Sequence, residues 1–268
     1  MMFQPVVPAS GYTGWTFLQR TRETQMEAFS SSPVLQRETD YFREHIAEVK
    51  SAEDLVNDRR LLTIALGAYG LEDDIDHKAF IRQVLEDGTL KEDALANRLA
   101  DKTYAQFSRA FGFADLGGLT GTSGFADKII ARYEERSFEI AVGEQDDAMR
   151  QAMNLERGLN DVVKGSEGTD ARWFSVMGSP PLRSVFETAL GFPPGFGAVD
   201  LDQQLVQFKE RAESVFGTSD VAELAEPEAR EKIVRIFLAR NEIGNVSLGV
   251  SGASAALTLL SNAGSLYR

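Results

Sequence analysis

The chain has 268 residues, with 28 Lys and Arg against 41 Asp and Glu, a formal net charge of −13 and a pI of about 4.7. It has no Cys and two His, His45 and His77, which excludes disulfides, thiol nucleophiles and zinc–thiolate sites and leaves little for a histidine metal centre. The acidic balance lacks the basic footprint of a nucleic-acid binder and opposes adhesion to anionic lipid.

Taken in chain order, residues 1–14 read as extended, with Pro5, Pro8, Gly11 and Gly14 as breakers. Residues 15–29 read as a helix with sparse apolar positions at Trp15, Leu18 and Met26, and Ser32-Pro33 starts another that runs towards Val49. Ser51-Ala52-Glu53-Asp54 and Thr89-Leu90-Lys91-Glu92 have the spacing of capping boxes. Tyr104, Phe107 and Phe111 form an apolar stripe, and the glycines at 117, 118, 121 and 124 mark a loop. A helical stretch from Phe125 to about Lys164 should break near Gly143. Leu182, Val185, Phe186, Ala189 and Leu190 form a further stripe, opened by Ser179-Pro180 and stopped by Gly191. Leu201, Leu205, Phe208, Ala212 and Val215 form the next. Only Phe3–Val7 and Phe138–Val142 compete as strands, so the expected fold is all-α.

This patterning divides the chain into a partly extended N-terminal segment (1–36), a helical unit (37–124), a connecting helical segment (125–165), a second helical unit (166–244) and a weakly anchored C-terminal tail (245–268). Tyr41-Phe42 is echoed by Trp173-Phe174, Ala65-Leu66-Gly67 by Ala189-Leu190-Gly191, and Asp74-Ile75-Asp76 by Asp200-Leu201-Asp202. The echo fits either coincidence among similar helix caps or a duplicated helical unit. The N-terminus lacks a charged region followed by an apolar run, so no cleaved signal peptide is expected. The apolar stretch from Leu248 to Leu260 is too short and too polar to span a bilayer.

Motifs with chemical meaning fail on their spacing. A calcium loop begun at Asp74 or Asp200 would need Gly at its sixth position and Glu at its twelfth. The residues there are Ala79 and Leu85, or Leu205 and Arg211. These aspartates read instead as helix caps. The glycine loop has no following Lys-Ser/Thr pair and no preceding strand, so it is no phosphate loop. Gly249-Val250-Ser251-Gly252-Ala253 lacks the last Gly of a nucleophile elbow, and both His lie upstream of Ser251. His77 sits among acidic residues, but no third group completes an acid–base set for it or for His45. No catalytic residue, cofactor site or metal site is expected.

Three stretches resemble one bacterial family. They are Ser10-Gly11-Tyr12-Thr13-Gly14-Trp15; Leu61-Leu62-Thr63-Ile64-Ala65-Leu66-Gly67-Ala68-Tyr69-Gly70-Leu71, continuing through Leu95-Ala96-Asn97-Arg98; and Pro180-Pro181-Leu182-Arg183 with Phe186-Glu187-Thr188-Ala189-Leu190-Gly191. They resemble the alphaproteobacterial family known as domain of unknown function 1217, over about residues 1–240. Genes of that family often lie among flagellar genes. The resemblance therefore implies a flagellum-related, non-enzymatic protein, cytoplasmic or exported without a cleaved signal, and carries over no catalytic or binding residue.

The expected function is a structural or interaction component of flagellar assembly that acts on protein partners. A cytoplasmic chaperone or regulator of a flagellar export substrate is one alternative, and an enzyme with an unrecognised small-molecule site is another. The expected partner contacts are Trp15, Phe17 and Leu18, with Leu257, Leu259 and Leu260 in the tail. They are apolar residues in segments read as lacking a full core around them.

Overall fold

A computed structural model of the chain describes residues 3–99 and 101–249, with side chains to Gly244. The described residues form α-helices and short 3₁₀ turns with no strand. The helices are α1 (Gly11–Ser30), α2 (Pro33–His45), α3 (Ala52–Asn57), α4 (Arg59–Gly67), α5 (Lys78–Asp87), α6 (Leu95–Arg98), α7 (Thr103–Phe111), α8 (Phe113–Leu116), α9 (Phe125–Gly143), α10 (Asp147–Gly165), α11 (Thr169–Gly178), α12 (Pro180–Leu190), α13 (Leu201–Phe216), α14 (Val221–Leu224) and α15 (Pro227–Gly249).

The local signals explain many of these boundaries. The Ser51 hydroxyl accepts from the Asp54 amide, while the Asp54 carboxylate accepts from the Ser51 amide, a complete capping box on α3. Asp58 caps α4, Asp146 caps α10 and Asp200 caps α13, each with its carboxylate on amides of the first turn. Gly191 ends α12 in the left-handed region at φ 72°, and all five residues of the stripe it terminates are buried. Phe138–Val142 lies within α9.

Other local signals yield to tertiary partners. Thr89 does not start a helix: its amide and hydroxyl both donate to Asp115, at 2.8 and 2.9 Å, and hold a loop. Leu201 is exposed, and the buried position at the start of α13 is Gln204, whose amide accepts from Arg183 and donates to the Val199 carbonyl. Asp74 caps no α-helix; it closes a 3₁₀ turn. The echoed triplets thus take different roles, since Asp200 is an N-cap.

Buried residues gather into two cores. The first is built on Phe42, Leu55, Leu62, Leu85, Phe107 and Phe111. The second is built on Leu18, Phe138, Leu159, Trp173, Phe186 and Phe237. Two helices serve both. In α9, Phe125, Ile129 and Ile130 enter the first core while Phe138 and Val142 enter the second; in α2, Phe42 enters the first and Leu35 the second. From Phe125 to Val142 the rise of an α-helix is roughly 26 Å, so α9 is a beam through both cores.

The N-terminal segment belongs to the second core. Residues 3–7 are extended without pairing to a strand. The buried amide of Gln25 takes the place of one, accepting from the Val6 amide at 2.6 Å and donating to its carbonyl at 3.2 Å. The Gln145 amide donates to the Pro5 carbonyl. Helix α1 starts at Gly11, four residues ahead of the expected position, and packs on α15 and α9.

That packing corrects the expectation for Trp15 and Leu18. Trp15 is 5% exposed, with Nε1 donating to Glu231 at 3.2 Å, and Leu18 is fully buried. Side chains buried to this extent present almost no surface to a partner. Trp15→Ala should therefore cost about 3–5 kcal/mol and lower the thermal midpoint by roughly 2–4 °C per kcal/mol, as read by calorimetry.

Candidate functional site

The residues that the sequence singles out do not converge. Phe17 is 37% exposed on the outer side of α1, away from the buried Trp15 and Leu18. Leu257, Leu259, Leu260 and Ser251 lie outside the described residues. The His45 ring stacks on Tyr41, and its Nδ1 lies 2.9 Å from the Tyr41 carbonyl. His77 is exposed, with Nδ1 2.9 Å from Asp74. The other Asp74 oxygen accepts from the Tyr104 hydroxyl; burial first, and that bond second, raise the phenol above its ordinary value. The glycine loop borders a hollow of about 240 Å³ with Lys128 as its charged residue. Among the described residues no group of three or more His, Asp or Glu is placed to hold a metal ion.

A recess lies where the two cores meet, a cleft of about 730 Å³. The first core contributes the turn after α4 (Tyr69, Gly70), Asn97 of α6, and α7 with the residues before it (Asp101, Lys102, Gln106, Arg109). The second contributes α10 from Asn154 to Val162, α11 with Phe174, and the start of α12 at Ser179–Leu182. Two glycines permit this assembly. Gly158 lets α10 approach α12, because a Cβ there would meet Leu182 at 2.7 Å. Gly70 turns the chain at φ 75° directly beneath the Arg136 guanidinium.

Arginines set the floor. Arg132 of α9 donates from Nε to the Ala68 carbonyl at 2.8 Å and from Nη2 to Asp161 at 2.9 Å, with its guanidinium 4.6 Å from the Tyr69 ring centre. One turn on, Arg136 donates to the Gly67 carbonyl at 3.0 Å. Together they add side-chain donors to carbonyls at the end of α4 and place positive charge at its negative pole. Burial lowers the Arg136 pKa below its ordinary value. Arg157 of α10 forks onto Glu139 at 2.8 and 2.7 Å and onto Asn154 at 2.6 Å. Burial lifts the Glu139 carboxyl above its usual range, against the pull of Arg157.

The rim differs from the floor. Arg109 is exposed and has no hydrogen-bond or ion-pair partner among the described residues. The Lys102 ammonium donates to the carbonyls of Asn97 and Leu99, at 2.7 and 2.9 Å, and meets no carboxylate among the described residues. Asp101 accepts from the Thr103 amide at 2.8 Å. Phe174 is 37% exposed while its neighbour Trp173 is fully buried. The sequence offered no signal for these residues. Arg109 lies on the polar side of an amphipathic helix, as many arginines do, and Phe174 stood out only as part of an echo.

Fold and cleft together define a two-core, all-helical protein with an inter-core recess. The chain belongs to the family described as "Protein of unknown function (DUF1217)", whose model matches residues 68–229, a span that contains the whole cleft lining. Protein AGR_C_984 from Agrobacterium tumefaciens, known from an X-ray crystal structure, is similar at 29% identity and a TM-score of 0.74, over 90% of this chain and 99% of that one. A search of curated proteins finds no match.

The floor carries its own test. The Arg157 and Glu139 side chains are 10% and 5% exposed. Glu139→Gln should leave a buried guanidinium uncompensated and cost about 3–5 kcal/mol in urea unfolding. Adding Arg157→Met to it should return part of that loss.

Proposed function

We propose that the chain is a non-enzymatic interaction protein of flagellar assembly that presents its inter-core cleft to a protein partner. The observation that carries this reading is how the cleft's charges are used. Arg132 is engaged by Asp161 and a carbonyl, and Arg157 by Glu139 and Asn154, so the floor groups face one another. Acid–base chemistry needs a proton donor and acceptor aimed at a shared open point, whereas a recognition surface needs apolar area ringed by polar groups. Phe174, Pro180 and Pro181 supply apolar lining, and Lys102 and Arg109 supply the ring. The flagellar setting is supported by the gene neighbourhood of the family that the motifs resemble.

Immunoblots of cytoplasm, culture medium and purified basal bodies, from wild type and from a strain lacking flagellar export, test the setting. An assembly component is expected in basal bodies or medium and lost from both in the export-deficient strain. Confinement to the cytoplasm in both strains would replace this reading with a chaperone or regulator that releases its partner before export.

A further inference from the structure

We infer that the inter-core cleft docks an acidic polypeptide segment in which an aromatic or aliphatic side chain stands next to the carboxylates. The inference rests on the interaction reading above and names the site and the chemistry of its partner.

A local inversion of charge carries it. Across the chain, acidic residues outnumber basic ones by 41 to 28. Around the cleft the balance reverses: Lys102, Arg109, Arg132 and Arg157 stand against Asp101 and Asp161. The two floor arginines are neutralised by Asp161 and Glu139. Arg109 and Lys102, seven residues apart and two turns along the first-core wall where α7 begins and proceeds, then stand against Asp101 alone, an excess of one positive charge, and neither cation forms an ion pair among the described residues. In a chain of net charge −13, a local excess of positive charge beside a recess, with Arg109 open to solvent, is an attractor for carboxylates.

The second-core wall supplies the apolar half. Phe174 turns away from the core that swallows Trp173 and lines the cleft, beside Pro180 and Pro181. An aromatic face left part-exposed inside a recess is an anchor point for an apolar side chain.

The placement of the charges favours a polypeptide over a small anion. A small-ligand pocket converges its polar groups on the ligand. Here the deep polar groups converge on each other, and the cations that form no ion pair among the described residues sit at the rim. Rim charge steers and selects an extended partner that runs over the edge, while the recess holds its apolar side chain.

The test is selection of a random displayed peptide library on the folded full chain, with binding then measured for Arg109→Glu, Phe174→Ala and Lys128→Glu. All three sites are exposed, so unchanged melting midpoints should verify the fold. Lys128→Glu makes the same charge change outside the cleft. Selected peptides should pair Asp or Glu with an aromatic or aliphatic residue. Their affinity should fall about tenfold in Arg109→Glu, fall in Phe174→Ala, persist in Lys128→Glu, and weaken as salt rises.

Peptides that bind all three variants equally would overturn the cleft assignment and leave the interaction reading standing. Failure to select any peptide would overturn the inference, with the immunoblots still deciding the interaction reading. Free citrate or inorganic phosphate raising the midpoint of the wild type, but not of Arg109→Glu, as far as the peptides do would make the recess a small-anion pocket and overturn the peptide assignment.

Discussion

Two arginines one turn apart on α9 hold the arrangement together. At the end of α4 the Gly67 carbonyl accepts only a long bond from the Gly70 amide, at 3.3 Å, and both it and the Ala68 carbonyl are met by side chains of α9. Arg136 takes one and Arg132 the other, and the second fork of Arg132 reaches across to Asp161 on α10. Three helices from the two cores are thereby fixed by side chains of one. The same residues place Tyr69 and Gly70 on the cleft wall, so the recess depends on how α4 is terminated.

The charges beneath the cleft are costly to bury and acquire a role in return. Glu139 is nearly inaccessible, and removing a carboxylate from water lifts its pKa. The Arg157 fork offsets that cost with two short, parallel hydrogen bonds. A buried pair of this kind adds little net stability over a well-packed apolar pair. Its effect is positional: Glu139 on α9 and Arg157 on α10 set the register of the two helices that carry the floor.

The N-terminus illustrates how an extended segment is kept without a sheet. Pro5 and Pro8 disfavour helix ahead of α1, and the chain there still needs hydrogen bonds where it is covered. The Gln25 side chain presents a carbonyl and an amide to Val6 in the manner of a neighbouring strand, and Thr21 accepts its second proton at 2.7 Å. Gly14 completes the fit, since a side chain there would run into the Ala9 carbonyl. Trp15 and Leu18 then pack inward, which is why residues that look unsupported in a sparse helical pattern prove to be core.

The sequence by itself determined the helical class, the break between α9 and α10, the complete apolar stripe of α12 with its start and stop, and the caps at Ser51 and Asp200. These are local matters: period 3.6, a capping oxygen three residues from its amide, a glycine free to take positive φ. It misjudged Thr89, whose partner Asp115 is 26 residues away, and Trp15, whose partner Glu231 is 216 residues away. The cleft was wholly illegible, because Tyr69, Arg109, Arg132, Arg157 and Phe174 lie on separate helices or turns and share no spacing. Only the tertiary structure decided which helix faces face each other, and therefore which cations find carboxylates and which stay open to solvent. That outcome depends on distances between chain-remote residues, for which sequence separation carries no information.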